Sequence, residues 1–394
     1  MGDIAASARR LRACYRGEKA DRIPICSPIN WHPMGDIDGE QPGGWRADPG
    51  FIEMARMVQR HCDPHVLWSP VPAPRAFSPV SYQRFLEAPE EYVEALPIEW
   101  LAPNRKRVTT VLHTPKGDLR WSYEEENEIE TSWDMEKPIN SVGDVDRLLS
   151  VPWRMKTYPA EAFAAHRQNR AAMGRDATGG VNINSMVAML CGVMHYEQML
   201  EWLLVEEAVI KVLADTWLDR TMKIVDYLMD QGVGPIWHFN GVERACPPMM
   251  SPAQWDKWVV PYDGAVMRRI KARDPEAMIH VHCHGKVGTM LASFLEMGVD
   301  STDPVEPPPQ GDITFAAARK KVGDRMVLYG NIEFLDMERR TPDQIEELIR
   351  RAIADGGKKR LVLYPSATPH ERHTPQFLAN ARRYIEAGLK YGTF

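Results

Sequence analysis

The chain has 394 residues, 44% of them hydrophobic, and a formal net charge of −6 at pH 7. This composition predicts a globular protein with a full-sized core, and the lack of a long basic run argues against nucleic acid as a partner. No apolar run is long enough to span a membrane, and the N-terminus has no signal-peptide core, so we expect a cytoplasmic protein without a membrane partner. The six cysteines have no paired spacing, which is typical of reduced thiols.

Eight short apolar segments, each ending in a polar or glycine-rich turn, are predicted to be buried strands. They lie at residues 22–30, 65–71, 178–185, 234–241, 277–285, 300–306, 325–332 and 360–367. Helical patterns separate the later segments, at 251–273, 286–298 and 341–357. Eight strands that alternate with helices predict an α/β fold, a (β/α)8 TIM barrel.

Residues 107–139 interrupt this alternation with a different pattern. Thr, Val and aromatic residues alternate with polar ones on both sides of a turn from Pro115 to Asp118, which indicates a β-hairpin with one solvated face. We expect a β-rich cap at about 105–140, inserted between the second and third barrel strands of a single domain that spans 1–394.

Polar side chains gather where the predicted strands end. Chemistry in barrels of this type is located at the carboxyl ends of the strands. The polar residues at these ends are Asn182, Asn184, His238, Asn240, Glu243, His282, His284, Asp303, Glu306, Asn331, Tyr364 and Ser366. Strand ends often carry polar residues because they meet solvent, but contributions from six strands to one rim predict a functional site.

The run "HVHCHG" at 280–285 holds three of the 12 histidines. Side chains alternate along a strand, so the histidines share one face, and His282 and His284 would be about 7 Å apart at Cα. Such a pair can hold one zinc ion together with a third ligand. Glu306 is the first candidate for that ligand and Glu243 the second. The alternative is that the pair has a hydrogen-bonded core or substrate-binding role.

Seven motifs carry a likeness to a known family. They are "KADRIPI" (19–25), "TPKGDLRW" (114–121), "PINSVGDVDRLL" (138–149), "MMSPAQWDKWVVPY" (249–262), "HCHGKVGTMLASFLEMGVDSTDPVEPP" (282–308), "GDRMVLYGNIE" (323–333) and "TPQFLANARRYIEAG" (374–388). With them, the chain resembles the uroporphyrinogen decarboxylase superfamily and, within it, the corrinoid-linked methyltransferase branch. The resemblance implies a (β/α)8 barrel with its active site in the mouth.

Departures from the family pattern decide between its branches. True uroporphyrinogen decarboxylases carry an arginine-rich N-terminal segment that binds the substrate carboxylates, whereas residues 24–40 contain no arginine. Thiol-specific methyltransferases of the family hold zinc with a His-x-Cys pair and a distant cysteine, and those two cysteines correspond to His284 and Ser366 here. Cobalamin-independent methionine synthases are similar in using a glutamate of the following strand, which matches Glu306. A site with only nitrogen and oxygen ligands favours an oxygen-linked methyl group over a thiolate.

The resemblance therefore implies an O-demethylase, which moves a methyl group from a small methoxylated, aromatic substrate to cob(I)alamin. The chain lacks the Asp-x-His-x-x-Gly cobalamin motif, so a partner corrinoid protein would carry the cofactor. The chain could also form a homo-oligomer. One zinc ion would be held by His282, His284 and Glu306. The expected catalytic residues are His282, His284, Glu306, Glu243 and Tyr364, and the expected substrate-binding residues are Trp31, Asn184, Trp237, His238, Asn240 and Asn331.

Three other functions stay open at the sequence level. The first is decarboxylation of a small aromatic or tetrapyrrole-like acid, for which Arg244 or Arg372 could supply a cation. The second is methyl transfer to a folate or thiol, and the third is non-catalytic binding of a corrinoid or tetrapyrrole. Fold alone does not distinguish them.

Overall fold

The structure, a computed structural model, describes residues 4–394 except 34, 36, 40–41, 65–84, 128 and 165–179. Its strands form two sheets. The first sheet contains β1 (Val93–Ala95), β2 (Glu99–Ala102), β3 (Arg105–Leu112), β4 (Leu119–Glu126) and β5 (Ile129–Glu136). The second contains β6 (Gly180–Asn184), β7 (Ile236–Asn240), β8 (Met278–His282), β9 (Ser301–Asp303), β10 (Val327–Ile332) and β11 (Leu361–Pro365).

The second sheet is the wall of the predicted barrel. Its six strands are parallel and lie side by side in chain order. Ile25, in the first predicted strand, pairs in parallel with Leu363 of β11, so the start of the chain lies beside its last strand. This sequential parallel order confirms the (β/α)8 barrel. The strand predicted at 65–71 lies outside the described residues.

Helices surround this wall. They are α1 (Ile4–Arg16), α2 (Pro49–His61), α3 (Val142–Leu149), α4 (Met186–Val193), α5 (Tyr196–Val205), α6 (Glu207–Asp230), α7 (Pro252–Trp258), α8 (Asp263–Arg273), α9 (Leu291–Met297), α10 (Phe315–Val322), α11 (Phe334–Arg339), α12 (Pro342–Gly356) and α13 (Pro375–Gly392). Short 3-10 helices lie at Gly44–Ala47, Glu90–Tyr92, Ala160–Phe163, Val242–Ala245, Val287–Thr289 and Gly323–Arg325. No helix among the described residues is long and apolar enough to cross a membrane.

The helix predicted at 251–273 is two helices, α7 and α8. Pro261 lies between them, and a proline cannot donate the backbone hydrogen bond that would continue the first helix. The helix predicted at 341–357 is α12, which begins at a capping box formed by Thr341 and Gln344. Gly298 ends α9 in the left-handed conformation, with φ of 89°.

The first sheet is antiparallel and forms the cap. Strands β3 and β4 pair from Arg105 with Glu126 to Leu112 with Leu119, so the predicted turn joins them. The sequence predicted the β-rich segment at about 105–140, whereas the sheet begins at residue 93. Strands β1 and β2 have only three and four residues, too few for an alternating pattern to show.

Candidate active site

Polar side chains line the inside of the barrel at neighbouring positions of three strands. His238 of β7 pairs in register with His280 of β8, which pairs with Ser301 of β9, and His282 pairs with Asp303. Residues in register on parallel strands point to the same side of the sheet. Barrel interiors are usually filled by branched apolar side chains, so this polar layer marks a candidate site.

Asp303 is the centre of the hydrogen-bond network. It is fully buried, and its two oxygens accept bonds from His280 Nε2 at 2.5 Å and from His282 Nδ1 at 3.0 Å. The hydroxyl of Tyr364 also bonds to this carboxylate. An ionised carboxylate can only accept hydrogen bonds, so both rings donate from the named nitrogens. His282 is therefore held through Nδ1, and its Nε2 is left for other partners.

A second chain of hydrogen bonds supports His280 at its other ring nitrogen. Its Nδ1 lies 2.8 Å from Ser301 Oγ, which lies 2.8 Å from the hydroxyl of Tyr15, which in turn lies 3.1 Å from the hydroxyl of Tyr329. A neutral His280 that donates from Nε2 must accept at Nδ1, so Ser301 donates to it. Helix α1, through Tyr15, thus fixes the orientation of a ring inside the barrel.

His284 and Glu306 form a second imidazole–carboxylate pair. His284 Nδ1 lies 3.1 Å from Glu306 Oε1, and the backbone N–H of Gly285 donates to Glu306 Oε2 at 2.9 Å. The ring centroids of His282 and His284 are 4.8 Å apart. Side-chain exposure is 25% for His282 and 38% for His284, against 0% and 6% for the carboxylates of their partners. The two rings therefore face the mouth, with their carboxylates behind them.

The surrounding charges act on His282. Burial lowers the pKa of this imidazole, but the carboxylates of Asp303, Glu243 and Glu306 outweigh burial and raise the pKa to about 9. His282 is therefore protonated at neutral pH unless a metal ion displaces the proton. Burial and the charge of Asp303 also raise the pKa of Tyr364 well above its usual value, so its hydroxyl stays neutral.

Glu243 adds a carboxylate to this group from the 3-10 helix that follows β7. Its Oε1 lies 3.3 Å from a guanidinium nitrogen of Arg244. Its Oε2 is buried and has no hydrogen-bond partner among the described residues. A buried carboxylate oxygen without a donor is costly unless a cation or a substrate donor completes it. Because its charge also acts on His282, Glu243 is a candidate metal ligand of this site.

His238, His280 and Asp303 also bring ligand atoms within 4.8 Å of one another. All three side chains are buried. The two nitrogens of His280 are already engaged by Ser301 and Asp303, so hydrogen bonding accounts for this group without an ion.

The structure brings most of the predicted site residues together. His284 contacts Glu306, Tyr364 and His282 bond to the same carboxylate of Asp303, and the charge of Glu243 acts on His282. The ring of His238 lies 6.2 Å from that of His282. Asn184 pairs in register with Asn240 on the adjacent strand, and Asn331 pairs with Tyr364, so these side chains lie near the carboxyl ends of their strands.

Two predicted residues, Trp31 and Trp237, are not brought to this group. Trp237 is buried between the sheet and the helices, because its neighbour His238 faces the interior and side chains alternate along the strand. Trp31 packs edge-on against Phe51 of α2, with ring centroids 6.2 Å apart. Neither indole makes a ring contact with the histidines within the described part of the chain.

The sequence placed Asp303 at the predicted rim without a ligand or catalytic role, and it did not single out Ser301 or Tyr15. A role for Asp303 could have been identified from the sequence, because this residue ends a strand two residues after Ser301 and therefore lies on the same face. A role for Tyr15 could not, because it is 286 residues from its partner Ser301 in the chain.

A family model and one solved structure agree with this architecture. A family model described as uroporphyrinogen decarboxylase (URO-D) matches residues 128–384. A solved methyltransferase from Methanosarcina mazei is 13% identical, with 98% of each chain covered and a TM-score of 0.56, which shows a shared fold. A B12-independent methionine synthase from Shewanella sp. W3-18-1 is 12% identical, with 76% of each chain covered and a TM-score of 0.35. No curated protein matches the chain.

Proposed function

The chain belongs to the uroporphyrinogen decarboxylase family, and we propose that within this family it is a methyltransferase. The proposed reaction takes the methyl group of a small methoxylated, aromatic substrate and passes it to cob(I)alamin on a separate corrinoid protein. One observation carries the proposal. Two adjacent imidazoles, His282 and His284, are each held by a carboxylate through Nδ1, and each presents an Nε2 without a hydrogen bond among the described residues.

This arrangement addresses the difficult part of an O-demethylation. Cob(I)alamin is a strong nucleophile, but a phenolate or alkoxide leaves poorly unless its negative charge is neutralised. When the bond between methyl carbon and oxygen breaks, a protonated His282 can give its Nε2 proton to that oxygen. Asp303, hydrogen-bonded to Nδ1, holds the ring in place and stabilises the imidazolium before the transfer. His284, held by Glu306, is placed to hydrogen-bond the same oxygen.

The site also offers donor types that zinc takes in proteins, namely Nε2 of His282, Nε2 of His284 and Oε2 of Glu243, which has no hydrogen-bond partner among the described residues. Both oxygens of Glu306 already accept hydrogen bonds, so we propose Glu243 as the third ligand and give Glu306 the role of orienting His284. A bound zinc ion would supply Lewis acidity at the substrate oxygen. It would compete with the proton for Nε2 of His282.

The remaining interior residues would bind the substrate. Asn184, Asn240 and Asn331 offer amide donors and acceptors near the mouth, and His238 offers an imidazole below them. We propose that they orient the methoxy group toward the imidazole pair.

The contacts of two arginines argue against decarboxylation. A carboxylate substrate needs a free cation in the mouth. Arg244 is paired with Glu243 at 3.3 Å, and Arg372 lies 3.4 Å from a carboxylate oxygen of Asp48. Both arginines that the sequence left open for this role already have acidic partners.

Metal content, measured by elemental mass spectrometry after purification without chelators, tests the zinc site. We expect about one zinc per chain in the wild type, with affinity lowered at least tenfold in His284→Ala and in Glu243→Gln. His113→Ala is a matched control, since His113 also has two carboxylate partners but lies on the cap. Loss of zinc in the control as well, or no zinc in any protein, would refute the metal site.

A methyl-transfer assay tests the function itself. Purified protein is mixed with cob(I)alamin and a panel of methoxylated aromatics, and both the corrinoid spectrum and the demethylated product are followed. We expect turnover that falls about 100-fold or more in His282→Gln, because the variant removes the nitrogen that neutralises the leaving oxygen, either as a proton donor or as a zinc ligand. Equal rates in wild type and variant, or carbon dioxide release from aromatic acids instead, would overturn the proposal.

A further inference from the structure

The C-terminal end of α1 lies at the end of the barrel opposite the mouth. The thiol of Cys14 donates a hydrogen bond to the carbonyl oxygen of Leu361 at 3.5 Å, and Arg360 donates to the carbonyl oxygen of Tyr15. Leu361 is the first residue of β11, and the amino ends of parallel barrel strands face away from the active-site mouth. The side chain of Tyr15 therefore approaches the barrel interior from that opposite end.

Inside the barrel, the hydroxyl of Tyr15 meets Ser301, the first residue of β9. The two oxygens are 2.8 Å apart, and Ser301 Oγ lies 2.8 Å from His280 Nδ1. Burial raises the pKa of Tyr15, so its hydroxyl keeps its proton and can donate to Ser301. Ser301 then donates to the neutral ring of His280, because each hydroxyl has one proton to give.

Both ring nitrogens of His280 are held from the same strand. Nδ1 meets Ser301 and Nε2 meets Asp303, two residues further along β9, and all three side chains are fully buried. The ring also contacts the rings of Tyr329 and His238, with centroid distances of 4.9 and 4.8 Å. Packing alone does not distinguish this ring from its flipped form, in which each nitrogen exchanges places with a carbon. The hydrogen bonds therefore select the orientation.

We propose that Ser301 and Tyr15 are positioning residues that hold one orientation of the His280 ring. In that orientation the ring donates to Asp303, whereas in the flipped ring a carbon would face Oδ1 instead. The buried carboxylate would then lose one of the donors that fix it beside His282. The inference rests on the proposed function only for its kinetic readout, because the orientation of the ring is measured without substrate.

Nitrogen-15 NMR of the histidine rings tests the orientation directly. Spectra that correlate ring nitrogens with ring protons are recorded on the full-length protein, as purified and again after metal removal, and are assigned with His280→Gln and His282→Gln. In Ser301→Ala we expect the Nδ1 resonance of His280 to shift, because it loses its hydrogen-bond donor, and the ring resonances of His282 to shift with it. Tyr15→Phe should give smaller shifts of the same sign, since Ser301 keeps its hydroxyl but loses the partner that orients it.

Tyr227→Phe is the matched control, because it also removes the hydrogen bonds of a tyrosine hydroxyl. This hydroxyl accepts the backbone N–H of Tyr158 at 2.8 Å and donates to the carbonyl oxygen of the same residue, on α6. Circular dichroism confirms that each variant is folded. Equal shifts of the His282 ring in the control would assign the effect to lost stability and overturn the inference. Unchanged His282 resonances in both Ser301→Ala and Tyr15→Phe would overturn it as well.

The rate of methyl transfer gives a second readout. A displaced Asp303 weakens the support of His282 without touching the substrate, so kcat should fall about 10-fold in Ser301→Ala at unchanged KM, and less in Tyr15→Phe. A raised KM at unchanged kcat would place the effect in substrate binding and contradict the positioning role. Where methyl transfer itself is not observed, the ring spectra alone decide the inference, so its failure is distinguishable from failure of the proposed function.

Discussion

Replacement of Asp263 by asparagine is expected to stabilise the protein above pH 7 and to lose this effect in acid. Asp263 is fully buried at the start of α8, and its Oδ1 accepts the backbone N–H of Met186 at 2.9 Å. Its Oδ2 has no hydrogen-bond partner within the described part of the chain. Burial raises the pKa of this carboxyl group from 3.8 to about 7. Asparagine keeps the accepting oxygen and the size but carries no charge.

The sign and size of the effect follow from linkage. The folded-state pKa lies above the unfolded value, so between pH 4 and 7 the unfolded chain releases this proton while the folded protein retains it. Each pH unit in that window removes about 1.4 kcal/mol from the free energy of unfolding, or about 4 kcal/mol over the whole window. Below pH 4 both states keep the proton and the carboxyl group costs nothing.

Urea unfolding at pH 5, 6, 7 and 8 measures this effect. The stability of Asp263→Asn relative to the wild type should rise by about 3 kcal/mol from pH 5 to 8, because most of the window lies in that range. Asp256→Asn, a change at an exposed position of α7, is the matched control and should show no such rise. A constant difference between Asp263→Asn and the wild type at all four pH values would refute the reasoning.

Two further predictions concern the carboxylates of the site. In the metal-free protein, Asp303→Asn should lower the pKa of His282 from about 9 toward neutrality, which NMR titration of the ring would detect, and should slow methyl transfer about 10–100-fold. An unchanged pKa would show that Asp303 does not hold this ring. Gly311→Ala should displace Glu306, because a Cβ there would lie 2.1 Å from its carbonyl oxygen, and zinc affinity should fall. Gly43→Ala, where a Cβ meets nothing within 4 Å, is the control, and equal zinc binding in both variants would contradict the prediction.

The barrel was predictable because its strands carry strong local signals. Runs such as residues 325–332 and 360–367 are short, apolar and bounded by turns, and they became β10 and β11 within a few residues of the predicted bounds. The cap was harder, since its short strands β1 and β2 owe their pairing to β3 rather than to their own composition. Local periodicity identifies an element only when several residues repeat the pattern.

The histidine pair was predictable for a similar reason. Alternation along the predicted strand places His282 and His284 on one face. In the structure β8 ends at His282, and the two rings still lie together, with centroids 4.8 Å apart. The carboxylate that binds each ring was not predictable, because it depends on the register between neighbouring strands. The register aligns His282 with Asp303, so this carboxylate, which had no assigned role, binds the ring.

The position of Glu306 shows how register also decides between a ligand and a supporting residue. Its spacing from His284 matches that of a metal ligand, and the two side chains do meet. They meet at Nδ1, however, and Gly285 occupies the second oxygen, so the carboxylate lies behind the ring rather than beside its free nitrogen. Glu243, in the 3-10 helix after the preceding strand, has an oxygen with no donor among the described residues. Each imidazole thus has a carboxylate behind it, and a third carboxylate remains for the zinc ion that we propose, which is the division of roles that zinc sites use.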